Sequence, residues 1–247
     1  MKNNYKKILI VVCLLVIFLG VYVLVKPYGM VKYVTVDSFE YTKTEDGLVL
    51  TKYTGEQKNI IIPDSIEGNK VVSLSGTFCG NNVIENVIIS EGIKTIDYMA
   101  FWHCINLVSV EIPESVETIG HAAFNSCISL KKVKGEFNYS SIMPYAFENC
   151  AFLESITLPE TLVFIGENAF ADCSKLKSVI IPASVEVIGG TTPEKEVDSS
   201  GNMIVPDDQR GSTKKTSFDG CEEITVTIDE NNKYYYCENN VIKSKVK

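Results

Sequence analysis

Histidine and tryptophan are nearly missing from this 247-residue chain, which has two of the first, His103 and His121, and one of the second, Trp102. Imidazole-based catalysis needs a nucleophile, a base and an orienting acid within reach of one another. Neither histidine sits in a sequence context that offers such a set. His103 lies beside Cys104, but that cysteine is expected to point into the fold. The chain also lacks H-E-x-x-H, G-x-S-x-G and any phosphate-cradling glycine loop, the local signatures of zinc proteases, serine hydrolases and nucleotide-binding proteins. Its eight cysteines include no C-x-x-C pair, the spacing that structural zinc sites use. We expect no enzyme, no cofactor and no metal site.

Basic residues are in short supply where they would matter. Residues 1–26 hold four lysines and no acid, which leaves 31 acidic against 19 basic residues in the rest, a net charge of −12. Such a surface repels phosphate backbones, so nucleic acid is excluded as the expected partner.

The chain does have one long uncharged apolar run, Ile8 to Val25. As a helix of 18 residues it would span about 27 Å, close to the hydrocarbon thickness of a bilayer. Lys2, Lys6 and Lys7 precede it, which favours a cytoplasmic N-terminus and a body outside the membrane. The run is longer than a signal-peptide core and is followed by no A-x-A site. A retained single-pass anchor is expected, with cleavage, or lipidation at Cys13, as the alternatives.

What dominates the sequence is a phenylalanine that returns every 23 residues: Phe78, Phe101, Phe124, Phe147 and Phe170. Cys104, Cys127, Cys150 and Cys173 follow the last four at a distance of three, and Phe218 with Cys221 forms a sixth copy after an insertion. A fixed period in the twenties defines a solenoid, in which each coil buries its apolar stripe against the next. In the coil from Cys104 to Cys127 that stripe is Leu107, Val110, Ile112, Val116, Ile119, Ala123 and Phe124. The alternation Val110-Glu111-Ile112 is strand-like, and Pro113, Pro159 and Pro182 end such strands because proline cannot donate to a following ladder. A second short extended segment ends at Ile119. The Ala-Phe step is then expected to form a short helical turn that plugs the coil with its ring. The column of equivalent cysteines reads as buried thiols. Disulfides come second, because parallel side chains one coil apart have poor disulfide geometry.

The ends depart from the period. Phe39–Tyr41 and Leu48–Tyr53 flank Asp46-Gly47 and read as a hairpin. The divisions expected are a membrane anchor at 1–30, an N-terminal β cap at 31–76, repeats at 77–228 with a polar inserted loop at 189–216, and a closing segment at 229–247. In the coil from Cys127, Gly135-Glu136 replaces the Ile-Pro step, so a shortened or bulged strand is expected there.

The run L-x-x-V-x-I-P-x-S-V-x-x-I-G-x-x-A-F-x-x-C, best seen at 104–127, resembles the BspA-like leucine-rich repeat family of bacterial surface proteins, over roughly residues 36–243. The resemblance implies a mainly β, leucine-rich-repeat solenoid on an exported protein that binds host or neighbouring-cell components. The expected function is therefore a membrane-anchored extracellular scaffold that binds a protein or cell-surface ligand. The alternative is a structural or accessory subunit of a bacterial envelope complex. Residues that break the polar pattern of their columns mark the candidate contact surface. Trp102 and Phe152 are aromatic where other coils are polar, and Lys132 with Lys134 makes one basic rung on the sheet face. Phe164 stands where Thr118 does in an earlier coil, another candidate exposed apolar residue.

Overall fold

A computed structural model describes residues 38–190, 217–221, 223–238 and 241–245. The expected anchor at 8–25 and residues 191–216 of the expected insertion lie outside the described residues. Among the described residues no helix is long and apolar enough to cross a membrane.

The described chain begins with an antiparallel hairpin of β1 (Phe39–Lys43) and β2 (Leu48–Tyr53). The backbone N–H and the hydroxyl of Thr44 both donate to the Gly47 carbonyl at its turn, at 2.8 and 2.9 Å. Gly47 has φ +148°, and a Cβ there would lie 2.6 Å from the Lys70 carbonyl oxygen, so only glycine fits. Then come β3 (Asn59–Ile62), β4 (Ser65–Ile66) and β5 (Asn69–Leu74). From here the coils alternate between two sheets: β6 (Asn86–Ile89), β7 (Thr95–Ile96), β8 (Ser109–Glu111), β9 (Thr118–Ile119), β10 (Lys132–Lys134) and β11 (Ser141–Ile142). They continue as β12 (Phe164–Gly166), β13 (Ser178–Ile181), β14 (Val187–Gly190) and β15 (Thr225–Ile228), and end in a hairpin of β16 (Tyr235–Glu238) and β17 (Val241–Ser244).

The back sheet is continuous. Its order is β1-β2-β5-β7-β9-β11-β12-β14, with β4 on β5, and its coil-to-coil pairs are parallel. Thr95 pairs with Thr118 and Ile96 with Ile119, a register of one 23-residue period. The front sheet runs β10-β8-β6-β3, and a separate pair, β13-β15, follows. The architecture is the expected mainly β solenoid.

Between the sheets the periodic phenylalanines form one column. Ring centroids of Phe78, Phe101, Phe124, Phe147, Phe170 and Phe218 follow at 4.8, 5.0, 5.0, 5.3 and 5.3 Å, with planes within 8° of parallel. Tyr53 and Phe39 from the first hairpin close its upper end at 5.2 and 6.1 Å from Phe78. Beside the rings runs the thiol column. Cys104, Cys127, Cys150, Cys173 and Cys221 each donate S–H to the carbonyl of the phenylalanine one coil back, at 3.0 to 3.2 Å. All five are free thiols. The period is thus a device for satisfying a buried carbonyl with a small, otherwise apolar side chain.

The Ala-Phe step is not helical, which corrects the sequence-based expectation. Its N–H groups alternate between two destinations. Ala100, Trp102 and Cys104 donate three residues back, to Asp97, Met99 and Phe101. Met99, Phe101 and His103 donate instead to His121, Ala123 and Asn125 of the next coil. A helix would need every N–H in a local bond, whereas here half of them stitch coils together. The backbone achieves this with left-handed residues two before and two after each ring. Met99, Ala122, Tyr145 and Asn168 occupy the first position, and His103, Ser126, Asn149 and Asp172 the second, with φ between 52° and 62°.

The shortened or bulged strand expected in the coil from Cys127 is not found, because β10 is as long as β8 and pairs with it in unbroken register; the ladder fails one coil later. Gly135 has φ +136°, and a Cβ there would lie 1.9 Å from the Ile112 carbonyl oxygen. Beyond β10 the front ladder holds only a bridge between Lys132 and Ser155. The Lys134 carbonyl accepts from Ile112 N–H, but the equivalent carbonyl one coil on, Thr157, accepts from the hydroxyl of Tyr139 at 3.3 Å. Tyr139 replaces the aliphatic residue of the stripe and is fully buried; burial pushes its phenol up from its ordinary value.

Phe164 also departs from expectation. It points outward from the back sheet yet is fully buried, in a second cluster with Val187, against which Met143 and Val163 pack.

Candidate functional site

The outward positions of the front sheet form two columns. One is polar: Asn59, Asn86 and Ser109 lead to Lys132, and hydroxyl side chains continue it at Ser155, Ser178 and Thr225. The other begins with Ile61 and Ile88, passes Glu111 and Lys134, and ends with Thr157, Ile180 and Thr227. The period-two pleat puts both columns on one face, because the inward neighbours, such as Val87 and Val110, are buried, with Val133 of the basic rung half-buried. Hydrogen bonds order the upper part: Asn86 Nδ2 donates to Asn59 Oδ1 and Ser109 Oγ to Asn86 Oδ1, both at 2.6 Å.

Lys132 and Lys134 are exposed, in register with Ser109 and Glu111. Neither has an ion-pair partner among the described residues. By contrast, Lys58 pairs with Glu85 and Lys94 with Glu117, each at 2.6 Å across one coil. Phe152 is 50% exposed, in the segment that leads into the next front rung, and its N–H donates to the Ile128 carbonyl at 3.3 Å. Ile128 is itself exposed, so the two residues form an apolar lip beside the basic rung.

Trp102 sits elsewhere. It follows Phe101 on the turn side of the coil, is half-buried, and packs at a tilt on His103, 5.2 Å between centroids. Among the described residues no ring pairing joins it to Phe152. His103 faces out while the Cys104 thiol points in to the Phe78 carbonyl, so adjacency in sequence does not bring imidazole to thiol.

Sequence reasoning missed a polar aromatic row on the turn side. Tyr98 stacks on His121 at 5.7 Å, His121 lies 5.4 Å from Tyr145, and the Tyr145 hydroxyl donates to Glu167 Oε1 at 3.4 Å. His121 Nδ1 is enclosed with no hydrogen-bond partner among the described residues. The 23-residue step from Tyr98 to His121 was legible, but Tyr145 joins from the neighbouring position because its left-handed backbone turns its ring across. On the N-terminal coils a groove of about 840 Å³ opens on the back sheet around Val49, Val72 and Thr95. Its rim mixes Asp46, Asp64 and Glu91 with Lys70 and the already paired Lys94. Among the described residues no three His, Cys, Asp or Glu side chains cluster as a metal site.

Stacked 23-residue coils with a strand on the front, a short extended segment on the back and a cysteine-phenylalanine core are the build of a leucine-rich repeat scaffold. Residues 74–194 match six copies of the BspA type leucine rich repeat region, and the chain belongs to that repeat family. The crystal structure of a leucine-rich repeat protein from T. pallidum is similar at 26% identity and a TM-score of 0.65, over 81% of this chain and 82% of that one. A leucine-rich repeat protein from Bacteroides ovatus is 26% identical with a TM-score of 0.59, over 77% of this chain and 45% of its own. A leucine rich cell surface protein from Faecalibacterium prausnitzii shares the fold at 24% identity and a TM-score of 0.58, over 84% of this chain and 57% of that one. The chain therefore spans about half the length of these last two. No curated protein matches it.

Proposed function

We propose that this protein is a membrane-anchored extracellular repeat scaffold that binds a protein or cell-surface ligand through its front sheet face and does no catalysis. The observation that carries this is the exposed basic rung, Lys132 and Lys134, which among the described residues has no ion-pair partner, together with the exposed ring of Phe152. Exposed aromatic and cationic groups together are what protein interfaces draw on. The uncharged run at 8–25 behind three lysines supports the anchor and an outward-facing repeat domain. The F. prausnitzii relative, described as a cell surface protein, is consistent with that placement.

The test is photo-crosslinking from position 128, exposed beside these residues, in the full chain on intact cells, with mass spectrometry of the captured proteins. A partner from outside the cell, lost in the Phe152→Ser, Lys132→Ser, Lys134→Thr variant, supports the function. Capture of resident envelope proteins alone would replace it with the role of an accessory envelope subunit.

A further inference from the structure

We propose that the front face takes an acidic polypeptide segment, with carboxylates of the partner at Lys132 and Lys134. This rests on the scaffold function above and names the chemistry of its ligand. The first support is the distribution of charge. Beyond residue 26 the chain carries 31 acids against 19 bases. Yet the outward positions of the front rungs, from β3 to β15, hold a single carboxylate, Glu111, and two ammonium groups, Lys132 and Lys134. An acid-rich protein has kept acids off one face.

The second support is the state of those lysines. Glu111 is the register partner of Lys134, but the two make no ion pair, and Glu111 is half-buried while Lys134 is exposed. Among the described residues neither exposed ammonium group has an ion-pair partner, so a ligand carboxylate gains an interaction without breaking one of these. Charge complementarity of this kind selects partners more than it adds affinity.

The third support concerns what else the face offers. A densely charged polyanion uses little but cations, whereas this face flanks its one lysine rung with hydroxyl side chains and carries isoleucines toward its ends, of which Ile180 is 66% exposed. Carboxylates, hydrogen-bonding groups and apolar side chains occur together in a polypeptide. The main chain contributes as well. Beside the basic rung the front ladder is reduced to the Lys132–Ser155 bridge, so coil-to-coil pairing is weakest where the lysines stand.

The experiment measures fluorescence anisotropy of the full chain with a labelled peptide of about ten residues alternating glutamate and valine. Its lysine–valine counterpart, heparin and a thymidine oligonucleotide serve as competing probes. The expected result is binding of the glutamate peptide and loss of about tenfold in affinity in Lys132→Ser, Lys134→Thr. That variant copies the neighbouring rung Ser155/Thr157 and so should fold, which a thermal melt verifies. Equal binding of the lysine peptide, no binding of the glutamate peptide, an unchanged variant, or preference for heparin or the oligonucleotide each overturns the inference. If an external partner is captured on cells but the lysine variant captures it as well as the parent does, the acidic-ligand inference fails and the scaffold function stands. If the glutamate peptide binds as expected and no external partner is captured, the scaffold function fails and the chemistry of the face stands.

Discussion

The hydroxyl of Tyr235 accepts a hydrogen bond from the backbone N–H of Ile188, 47 residues earlier, at 2.9 Å, and donates to the Glu186 carbonyl at 3.3 Å. One side chain thereby supplies what the next coil's backbone supplies everywhere else along the back sheet. Asn232, fully buried, does the same for the turn before it. Its Nδ2 donates to the Pro182 and Val185 carbonyls, at 2.9 and 3.0 Å, and its Oδ1 accepts from Tyr234 and Tyr235 N–H. The closing segment is a cap because it satisfies a sheet edge that would otherwise be open.

Tyr235→Phe keeps the ring and removes both bonds, leaving a buried N–H short of its acceptor. We expect a loss of about 1–3 kcal/mol, the cost of an unsatisfied buried donor. Urea denaturation followed by circular dichroism measures it. An unchanged midpoint would mean that the edge is satisfied in another way.

The ring column predicts a gradient. Phe124 has a stacked ring at 5.0 Å on each side and no exposure, whereas Phe218 ends the described column and is 8% exposed. Phe124→Ala should cost about 3–5 kcal/mol. Phe218→Ala should cost less, because the end of the column can relax into the opening. Equal costs, measured by thermal melts of the two variants, would contradict a close-packed centre.

The left-handed positions carry strain that glycine relieves. His103 has φ 57° and an exposed side chain, while the same position is glycine in the end coils, Gly80 and Gly220. A non-glycine residue there costs about 1–2 kcal/mol, and the extra chain entropy of glycine takes part of that back. His103→Gly should raise stability by about 1 kcal/mol or less. A melting temperature below that of the parent would show that the His103 contact with Trp102 outweighs the strain.

The thiol column makes the fold sensitive to alkali. Burial pushes Cys127 and Cys150 well above the ordinary thiol value. Groups raised in the folded state contribute stability that is complete below the unfolded value, about pH 8.5. That contribution declines as pH rises from there toward the folded-state value. Urea midpoints measured from pH 7 to 10 should therefore fall, and Cys150→Ala should flatten the slope by up to about 1.4 kcal/mol per pH unit. A slope that ignores the substitution would sink the argument. In the native state Cys79, which is exposed, should react with iodoacetamide well before the four buried thiols, as peptide mass mapping will show.

Much of the solenoid was written in single positions. Pro63, Pro113 and Pro182 each follow directly on a front strand or its last inward residue, because a residue without an N–H cannot extend a parallel ladder, whereas Pro159, expected to do the same, follows no strand but only the bridge at Ser155. Gly135 meets the Ile112 carbonyl closely for the same kind of local reason, but the break in the ladder lies one coil later than that glycine suggests. The turn conformation was not legible, because Ala-Phe-x-x-Cys gives the same three-residue spacing in a helix as in a chain of turns. What separates them is the destination of alternate N–H groups, and that lies one coil away. The hydroxyl of Tyr139 reaching Thr157 was hidden likewise, since nothing local distinguishes a tyrosine that fills a stripe from one that also replaces a ladder bond.

The candidate site divides along the same line. Period-two alternation placed Lys132 and Lys134 on the outward face, and the structure shows them exposed there. Phe164 reads as outward by the same rule and is outward, yet it is buried, because exposure depends on what else packs on the sheet and not on which way the pleat points. Trp102 and Phe152 are both exceptions to their columns, but their columns lie on different sides of the coil.

The sequence by itself determined the period, the residues that face inward and the strand ends, since these follow from side-chain polarity and from the covalent limits of proline and glycine. Only the tertiary structure decided how each backbone donor is satisfied, where the front ladder breaks and which lysines stand without a partner. Those outcomes are set between neighbouring coils, where hydrogen bonds and ion pairs join residues about one period apart.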